Sequence, residues 1–192
     1  MNHIRRLAVY CGSAPGADPA FAEAARSLGR TMAERGVDLV YGGGKLGLMG
    51  TIADSVLDGG GRVYGVIPNA LVEQEVAHLG CTELHTVATM HERKAKFTEL
   101  ADGFLCLPGG IGTLDELFEA WTWNALGYHA KPFCLLNVAG FWAPLGEFMD
   151  HVRDSGFLSH ARRGQLMIAD TAEEALAMLD AAASRANQRM VW

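Results

Sequence analysis

The sequence predicts a doubly wound α/β domain, because short apolar runs alternate with helical patterns along the whole chain. The apolar runs are continuous rather than alternating, which is typical of parallel strands that are covered on both faces. Three runs are followed by glycine turns, at 12, 42–44 and 109–110, and these turns would project from the same edge of a parallel sheet. Together these observations favour a Rossmann-like parallel sheet with helices on both faces.

The predicted strands are short and rich in apolar residues: Leu7–Cys11, Asp38–Tyr41, Arg62–Ile67, Glu83–Val87, Phe104–Leu107, Phe133–Asn137 and Gln165–Ala169. The segments between them carry apolar residues at helical spacing and predict helices near 18–35, 47–58, 90–102, 113–126, 142–154 and 171–183. No linker, low-complexity tract or charge block divides the chain. We therefore expect residues 1–192 to form a single domain.

Composition excludes several classes of function. The net charge of −6 disfavours a nucleic-acid surface, because binding to polyphosphate requires a basic face. No apolar run approaches the roughly 20 residues of a membrane span, and the run after Arg5 and Arg6 is too short for a signal peptide. The four cysteines form no C-x-x-C pair, which favours free thiols in a reducing compartment. We therefore expect a cytoplasmic protein that binds neither membranes nor nucleic acid.

The stretch Leu107–Glu116 is the most informative in the chain. The apolar run Phe104–Leu107 stops at a proline and two glycines, and an amphipathic helix follows at once. A strand that leads into a helix through glycines leaves bare N–H groups at the helix N-terminus, which is a favourable place for phosphate. Thr113 and Glu116 fall in the first helical turn and place a hydroxyl group and a carboxylate beside that anion. This pattern predicts chemistry on a phosphorylated substrate.

Thr113 and Glu116 have a structural alternative. They match the capping box, in which the threonine caps the helix and the glutamate bonds back to the cap backbone. Capping would explain both residues without catalysis. It would not explain the proline and the two glycines that precede them.

The glycine-rich stretch Gly42–Gly50 also has two interpretations. It contains G-x-G-x-x-G, the dinucleotide fingerprint, but no ribose-binding acid follows at 66–69, which weakens an NAD-linked reading. It is not a Walker A loop, since Lys45 is followed by Leu46 rather than by serine or threonine. The alternative is a glycine turn that close packing of strand and helix requires.

The segment Met90–Lys94 opens another predicted helix. A zinc-binding H-E-x-x-H would need histidine at 95, where Ala95 stands, and the other histidines show no metal-ligand spacing, so we expect no metal. Arg93 and Lys94 oppose the helix macrodipole near its start, which disfavours a purely structural role. The alternative is a solvated charged face that also includes Glu92 and Lys96.

These motifs together resemble the LONELY GUY family, the cytokinin riboside 5′-monophosphate phosphoribohydrolases. Pro108–Glu116 matches the family's P-G-G-x-G-T-x-x-E, and Met90–Lys94 matches its M-x-x-R-K. Val40–Gly44 with Gly47–Gly50, and the opening Tyr10–Ser13, also fit. The resemblance covers nearly the whole chain. Its two spaced motifs are more specific together than either motif is alone.

Proteins of this kind have also been labelled lysine decarboxylases. The sequence does not support that label, because none of the four lysines stands in a recognisable pyridoxal-phosphate setting. They are Lys45, Lys94, Lys96 and Lys131.

The resemblance implies hydrolysis of the N-glycosidic bond of a nucleoside 5′-monophosphate, of the AMP or N6-isopentenyl-AMP type, to free base and ribose 5-phosphate. It implies no cofactor and a homodimer with the active site near the subunit interface. Arg93 and Glu116 would be catalytic. The residues implied to bind substrate are Glu75, Lys94, Gly110, Ile111, Gly112, Thr113, Leu114, Asp115 and Thr122. The alternative is a non-catalytic nucleotide-binding or carrier protein on the same fold, which the presence of both Arg93 and Glu116 disfavours.

Overall fold

The computed structural model describes residues 4–72 and 76–189. Seven strands lie within these ranges: β1 (Arg6–Tyr10), β2 (Asp38–Tyr41), β3 (Val63–Pro68), β4 (Glu83–Val87), β5 (Gly103–Cys106), β6 (Phe133–Leu136) and β7 (Leu166–Ala169). They form one sheet in the order β4-β3-β2-β1-β5-β6-β7, and each neighbouring pair is parallel. The predicted strands and the predicted parallel sheet are confirmed.

The helices connect these strands: α1 (Pro19–Glu34), α2 (Gly47–Asp58), α3 (Met90–Leu100), α4 (Ile111–Ala125), α5 (Ala143–Asp154), α6 (His160–Arg163) and α7 (Ala172–Arg189). The six predicted helices are confirmed with small shifts of their bounds. The short helix α6 and two single-turn 3₁₀ helices, Asn69–Leu71 and Val138–Gly140, were not predicted. No helix of the described residues combines the length and the apolarity that crossing a membrane requires.

Helices cover both faces of the sheet, as alternate residues of β1 illustrate. Leu7 and Val9 belong to a buried cluster with residues of α1, α2 and α7, whereas Ala8 and Tyr10 belong to a second cluster with residues of α3, α4 and α5. All four side chains are at least 96% buried. Because both faces of the strand are covered, its sequence is continuously apolar rather than alternating.

The order of the strands reverses next to β1, which pairs with β2 on one side and with β5 on the other. In open α/β sheets, ligands bind beyond the carboxyl ends of the strands at such a switch point. The turns that leave β1 and β5 touch each other there, since the N–H of Gly12 donates to the carbonyl oxygen of Pro108 at 3.1 Å. The fold therefore brings the first and third glycine turns of the sequence to one place.

Candidate functional site

A cavity of about 220 Å³ lies at the carboxyl ends of β1, β2 and β5. All three glycine turns contribute to its wall, together with α3 and the first turns of α4. The lining residues are Val9, Tyr10, Cys11, Gly12, Ser13, Gly42, Met49, Arg93, Gly110, Ile111, Gly112, Thr113 and Glu116. The sequence predicts site residues in the glycine turns and at Arg93, Thr113 and Glu116, and the structure brings them to one cavity.

The N-terminus of α4 presents bare backbone to this cavity. Gly110 is the N-cap and has no side chain, so the N-cap residue makes no capping bond to the first N–H groups of the helix. A Cβ atom on Gly110 or Gly112 would meet nothing within 4 Å. Packing therefore does not require glycine at either position, whereas close approach of a ligand to the backbone would.

Gly109 has a different role in the same turn. A Cβ atom on Gly109 would lie 2.1 Å from Oγ1 of Thr113 and 2.9 Å from the backbone nitrogen of Gly12. Thr113 is 97% buried, and it fills the space that the missing side chain leaves. Glycine at 109 thus allows the turn after β5 to pack on the turn after β1.

The capping interpretation of Thr113 and Glu116 is wrong. Helix α4 starts at Ile111, so Thr113 lies inside the helix and Glu116 falls in the second turn rather than in the first. The chain enters the helix two residues earlier than predicted because Gly110 serves as N-cap without a capping side chain.

Two other T-x-x-E patterns of this chain do cap helices. At α7, Thr171 Oγ1 accepts the N–H of Glu174 at 3.2 Å, and Glu174 Oε2 accepts the N–H of Asp170 at 3.0 Å. At α3, Thr89 and Glu92 make the corresponding bonds at 3.1 and 2.9 Å. Glu116 shares the pattern of these residues and differs from them in facing the cavity.

The structural alternative for Met90–Lys94 was a solvated charged face. The burial of Arg93 contradicts this alternative for Arg93. Only 5% of the residue is exposed. Its Nε donates to the carbonyl oxygen of Val66 at 3.1 Å, and its Nη2 donates to the carbonyl oxygen of Gly42 at 2.9 Å. The guanidinium group is therefore fixed against the ends of β2 and β3, where it borders the cavity.

The electrostatics of the cavity follow from Arg93 and Glu116. Burial raises the pKa of the Tyr10 hydroxyl well above its usual value, the charge of Glu116 raises it further, and Arg93 opposes the rise. Burial and Glu116 also raise the pKa of the Cys11 thiol, again against Arg93. Both groups stay protonated at neutral pH, so Cys11 is not a thiolate nucleophile. The cavity thus offers a carboxylate and a guanidinium group beside a helix N-terminus.

Comparison with known proteins identifies the family. A family model described as "possible lysine decarboxylase" matches residues 49–179. The chain is 45% identical over 191 residues to the cytokinin riboside 5′-monophosphate phosphoribohydrolase LOG of Oryza sativa subsp. japonica, covering 100% of this chain and 79% of that protein. It is 43% identical over 176 residues to the cytokinin riboside 5′-monophosphate phosphoribohydrolase of Rhodococcoides fascians, covering 91% of this chain and 89% of that protein. The chain belongs to the LONELY GUY family.

Solved structures agree on the fold. A structural-genomics target solved by X-ray crystallography matches with a TM-score of 0.71 and 24% identity, covering 92% of this chain and 99% of that one. The molybdenum cofactor carrier protein of Chlamydomonas reinhardtii matches with a TM-score of 0.69 and 18% identity, covering 93% and 98%. At these identities the likeness establishes the Rossmann-like fold alone.

Two further residues that the LONELY GUY resemblance assigns to substrate binding, Leu114 and Thr122, are not among the lining residues of the cavity. Leu114 packs against the buried cluster that contains Tyr10. Thr122 is exposed, almost two turns beyond Glu116 on α4. Glu75 lies outside the described residues. Their assignment to the substrate stays a prediction.

Lys94 and Asp115, which the resemblance also assigns to the substrate, contact each other. Lys94 Nζ lies 3.0 Å from Asp115 Oδ2 and 3.1 Å from Glu119 Oε2. Burial alone would lower the pKa of Lys94, but the bonds to Asp115 and Glu119 outweigh it, and the pKa is raised. The lysine is therefore charged and held by two carboxylates.

The sequence did not predict some of the lining residues as candidates for the site. Tyr10 and Cys11 read as buried strand residues, which they also are. Met49 lies in α2, and its sulfur would be 2.7 Å from a Cβ atom on Gly42. The signal available for all three was their position next to a glycine turn at the carboxyl end of a strand.

His78 is a buried histidine, and both of its ring nitrogens have a partner. It is 97% buried; its Nε2 lies 2.9 Å from Asp54 Oδ1, and its Nδ1 accepts the N–H of Gly80 at 3.1 Å. The backbone N–H of His78 donates to the carbonyl oxygen of Gly43 at 2.8 Å and so supports the second glycine turn. Among the described residues, no group of three or more histidine, cysteine, aspartate or glutamate side chains is arranged to hold a metal ion.

Proposed function

We propose that this protein hydrolyses the N-glycosidic bond of a nucleoside 5′-monophosphate and releases the free base and ribose 5-phosphate. The observation that carries the proposal is that Arg93 and Glu116 border one cavity with the uncapped N-terminus of α4. The related proteins from Oryza sativa subsp. japonica and Rhodococcoides fascians are named for this activity on cytokinin riboside 5′-monophosphates.

The N-terminus of α4 is suited to the 5′-phosphate. The N–H groups of the first helical turn and the helix macrodipole both favour an anion there. Gly112 costs the helix about 0.5–1 kcal/mol relative to alanine, and none of the described residues occupies the space beside it. A phosphate that approaches this bare backbone explains the glycine. Binding at the phosphate, away from the reacting carbon, would orient the ribose in the cavity.

Glu116 supplies the group that the reaction needs at the sugar. Breaking the glycosidic bond develops positive charge on the ribose, and a carboxylate beside it stabilises that charge and orients a water molecule. The bond between C1′ and the base nitrogen breaks, and its electrons leave with the base. Water adds its hydroxyl group to C1′, and its remaining proton balances the negative charge on the base.

Arg93 cannot serve as the base, because a guanidinium group does not lose its proton in proteins. Its bonds to the carbonyl oxygens of Val66 and Gly42 fix it at the cavity wall. We assign it the positioning of the substrate or of Glu116. The combination of a fixed cation and a carboxylate favours hydrolysis over the carrier alternative, because carriage of a nucleotide does not require a carboxylate next to its anion.

We also infer a homodimer with the cavity close to the subunit interface. Ile111 lines the cavity and is 86% exposed, and Met90, next to Arg93 on α3, is 42% exposed. Leu126 and Tyr128, just after α4, are also exposed. Exposed apolar side chains around a site are typical of a surface that another protein covers, and here a second copy would complete the wall of an open cavity.

The deciding experiment measures base release from AMP and N6-isopentenyl-AMP by chromatography, with wild-type protein and Glu116→Gln. Wild type should release base from the nucleotides and should act poorly on adenosine, which lacks the phosphate. Glu116→Gln should lower kcat by roughly a hundredfold or more, since it removes a key charge. Because Glu116 does not cap α4, the melting temperature should change little.

Glu174→Gln is the matched control, because Glu174 belongs to a true T-x-x-E cap on α7. It should keep wild-type turnover. Near-normal turnover by folded Glu116→Gln would contradict the role of Glu116, and equal kcat/KM for AMP and adenosine would contradict the phosphate site. The ratio of kcat/KM for the two nucleotides identifies the preferred base.

A further inference from the structure

An ionic cluster of three side chains joins the helix that carries Arg93 to the helix that carries Glu116. Lys94 on α3 lies 3.0 Å from Asp115 Oδ2 and 3.1 Å from Glu119 Oε2, both on α4. The Lys94 and Glu119 side chains are only 15% and 20% exposed, whereas Asp115 is 54% exposed. The contact between Lys94 and Glu119 is thus the sheltered part of the cluster.

The residues of the ionic cluster are close neighbours in sequence of Arg93 and Glu116, which line the cavity. Lys94 directly follows Arg93, while Asp115 directly precedes Glu116 and Glu119 lies three residues beyond it. A shift of α4 relative to α3 would therefore change the separation of Arg93 and Glu116 by a similar amount. Both pairs of residues sit at the same crossing of the two helices.

Phe97 on α3 and Leu117 on α4 belong to the same buried cluster, so apolar packing also helps to set this crossing. Helix α3 lies across β1 to β4, whereas α4 packs on β1, and among the described residues the two helices meet through side chains rather than through close backbone packing. A second side-chain contact is that between the rings of His91 and Trp123, with centroids 6.2 Å apart. Each helix is fixed to the sheet, and the ionic cluster links one helix to the other.

The charges of the cluster also argue against a direct role of Lys94 at the phosphate. Two carboxylates surround one ammonium group, so the local charge is negative and would repel an anion. Solvent-exposed ion pairs contribute little to stability, but removal of one partner from a sheltered pair leaves the other charge poorly compensated. Removing either Lys94 or Glu119 should therefore displace the helices rather than only remove a contact.

We propose that Glu119 is a positioning residue that acts through Lys94 to set the spacing of α3 and α4, and hence of Arg93 and Glu116. This inference rests on the proposed function, because it assigns the cluster a task in that reaction. The phosphate site at Gly110 and Gly112 is separate from the cluster. Loss of the cluster should therefore lower kcat more than it raises KM.

The test is a double-mutant cycle in steady-state hydrolysis of AMP. Glu119→Met and Lys94→Met should each lower kcat by about tenfold, with KM changed less than about twofold, because a misplacement of catalytic groups below 1 Å costs rate rather than binding. The double variant should be no slower than the slower single variant, since each single change already breaks the link. Lys94→Arg, which keeps the charge, should retain most of the wild-type kcat.

Glu99→Gln is the matched control, because Glu99 pairs with Lys96 on the exposed side of α3 at 2.9 Å. Its kinetics should equal those of wild type. If Glu119→Met does not fold, the milder Glu119→Gln tests the same loss of kcat. The melting temperature of each variant shows whether it folds.

Two results would overturn the inference while leaving the proposed function intact. One is a Glu119→Met or folded Glu119→Gln protein with wild-type kcat. The other is a Lys94→Met protein that raises KM at unchanged kcat while Glu119→Met does not, since this is the result expected if Lys94 touches the substrate. Absence of base release by wild type would instead overturn the proposed function, and the inference with it.

Discussion

Nη2 of Arg93 donates to the carbonyl oxygen of Gly42 at 2.9 Å, and the same nitrogen would lie 2.3 Å from a Cβ atom on that glycine. The second glycine turn therefore holds a guanidinium group. Gly47, in the same stretch, has a φ of +59°, and a Cβ there would lie 2.3 Å from the carbonyl oxygen of Ser13. Close packing, rather than a dinucleotide fingerprint, accounts for these glycines.

Gly42→Ala should lower turnover without unfolding the protein. The new methyl group would meet the guanidinium group of Arg93 and the sulfur of Met49, both at the ends of flexible side chains that can move aside. The displaced Arg93 should reduce kcat for AMP by about tenfold or more, as expected for loss of a preorganised group. The measurement is kcat together with the melting temperature.

Gly164→Ala provides the comparison for Gly42→Ala. Gly164 ends α6 with a φ of −65°, and a Cβ there would make only ordinary contacts, at 3.4 Å or more. Its kinetics should equal those of wild type. If Gly42→Ala also retains wild-type kcat, Arg93 does not need its present position.

The sheet could be predicted from the sequence because its strands are apolar on both faces. Leu7 with Val9 and Ala8 with Tyr10 enter opposite clusters, so the pattern in the sequence directly reflects burial. The short helix α6 could not be predicted in the same way. Its four residues are too few to show a helical period, and its N-cap bond from Arg162 N–H to Ser159 Oγ is a local feature.

The location of the site at the edge of the sheet could be predicted from the sequence, but the contacts among its side chains could not. Glycines after β1, β2 and β5 marked the edge of the sheet, and the two family motifs singled out Arg93 and Glu116. The burial of Arg93 depends on carbonyl oxygens that two other strands supply, and a charged residue near a helix start gives no sign of this. Likewise, Lys94 and Glu119 meet only because α3 and α4 cross.

Light scattering should give the mass of a dimer at micromolar concentration. Exposed Ile111 borders the cavity, exposed Met90 lies one turn before Arg93 on α3, and Leu126 and Tyr128 add exposed apolar surface just after α4. Burial of this surface between two copies is favourable at about 25 cal/mol per Å². A monomer mass across the accessible concentration range would exclude the homodimer.

His129 should make stability depend on pH between about 6.5 and 4. Burial, with a smaller contribution from nearby Lys131, lowers the pKa of His129 to about 4, and a bond with the backbone of Ala120 opposes the fall. Below pH 6.5 the imidazole of His129 becomes protonated in the unfolded chain, whereas in the folded chain it stays neutral until about pH 4. Stability should therefore fall as the pH is lowered through this window and level off below it, as far as His129 contributes.

The measurement for His129 is the urea midpoint from pH 7 to pH 4 for wild type and His129→Asn. The asparagine oxygen can replace Nδ1, which accepts the N–H of Lys131 at 3.2 Å. The slope of stability with pH should be smaller in the variant, whatever its absolute stability. Equal slopes would mean that His129 titrates alike in the folded and unfolded chains.

Gly112→Ala should make the protein more stable and less active at once. Gly112 lies in the first turn of α4, a Cβ there would meet nothing within 4 Å, and alanine favours a helix over glycine by about 0.5–1 kcal/mol. The melting temperature should therefore rise by a few degrees. The methyl group would also stand on the wall where we place the phosphate, so KM for AMP should rise by about tenfold or more. Gly109→Ala should do the reverse to stability, since its methyl group would press on Thr113 and on the backbone of Gly12. If Gly112→Ala gains stability and keeps its KM, the phosphate does not bind at this end of α4.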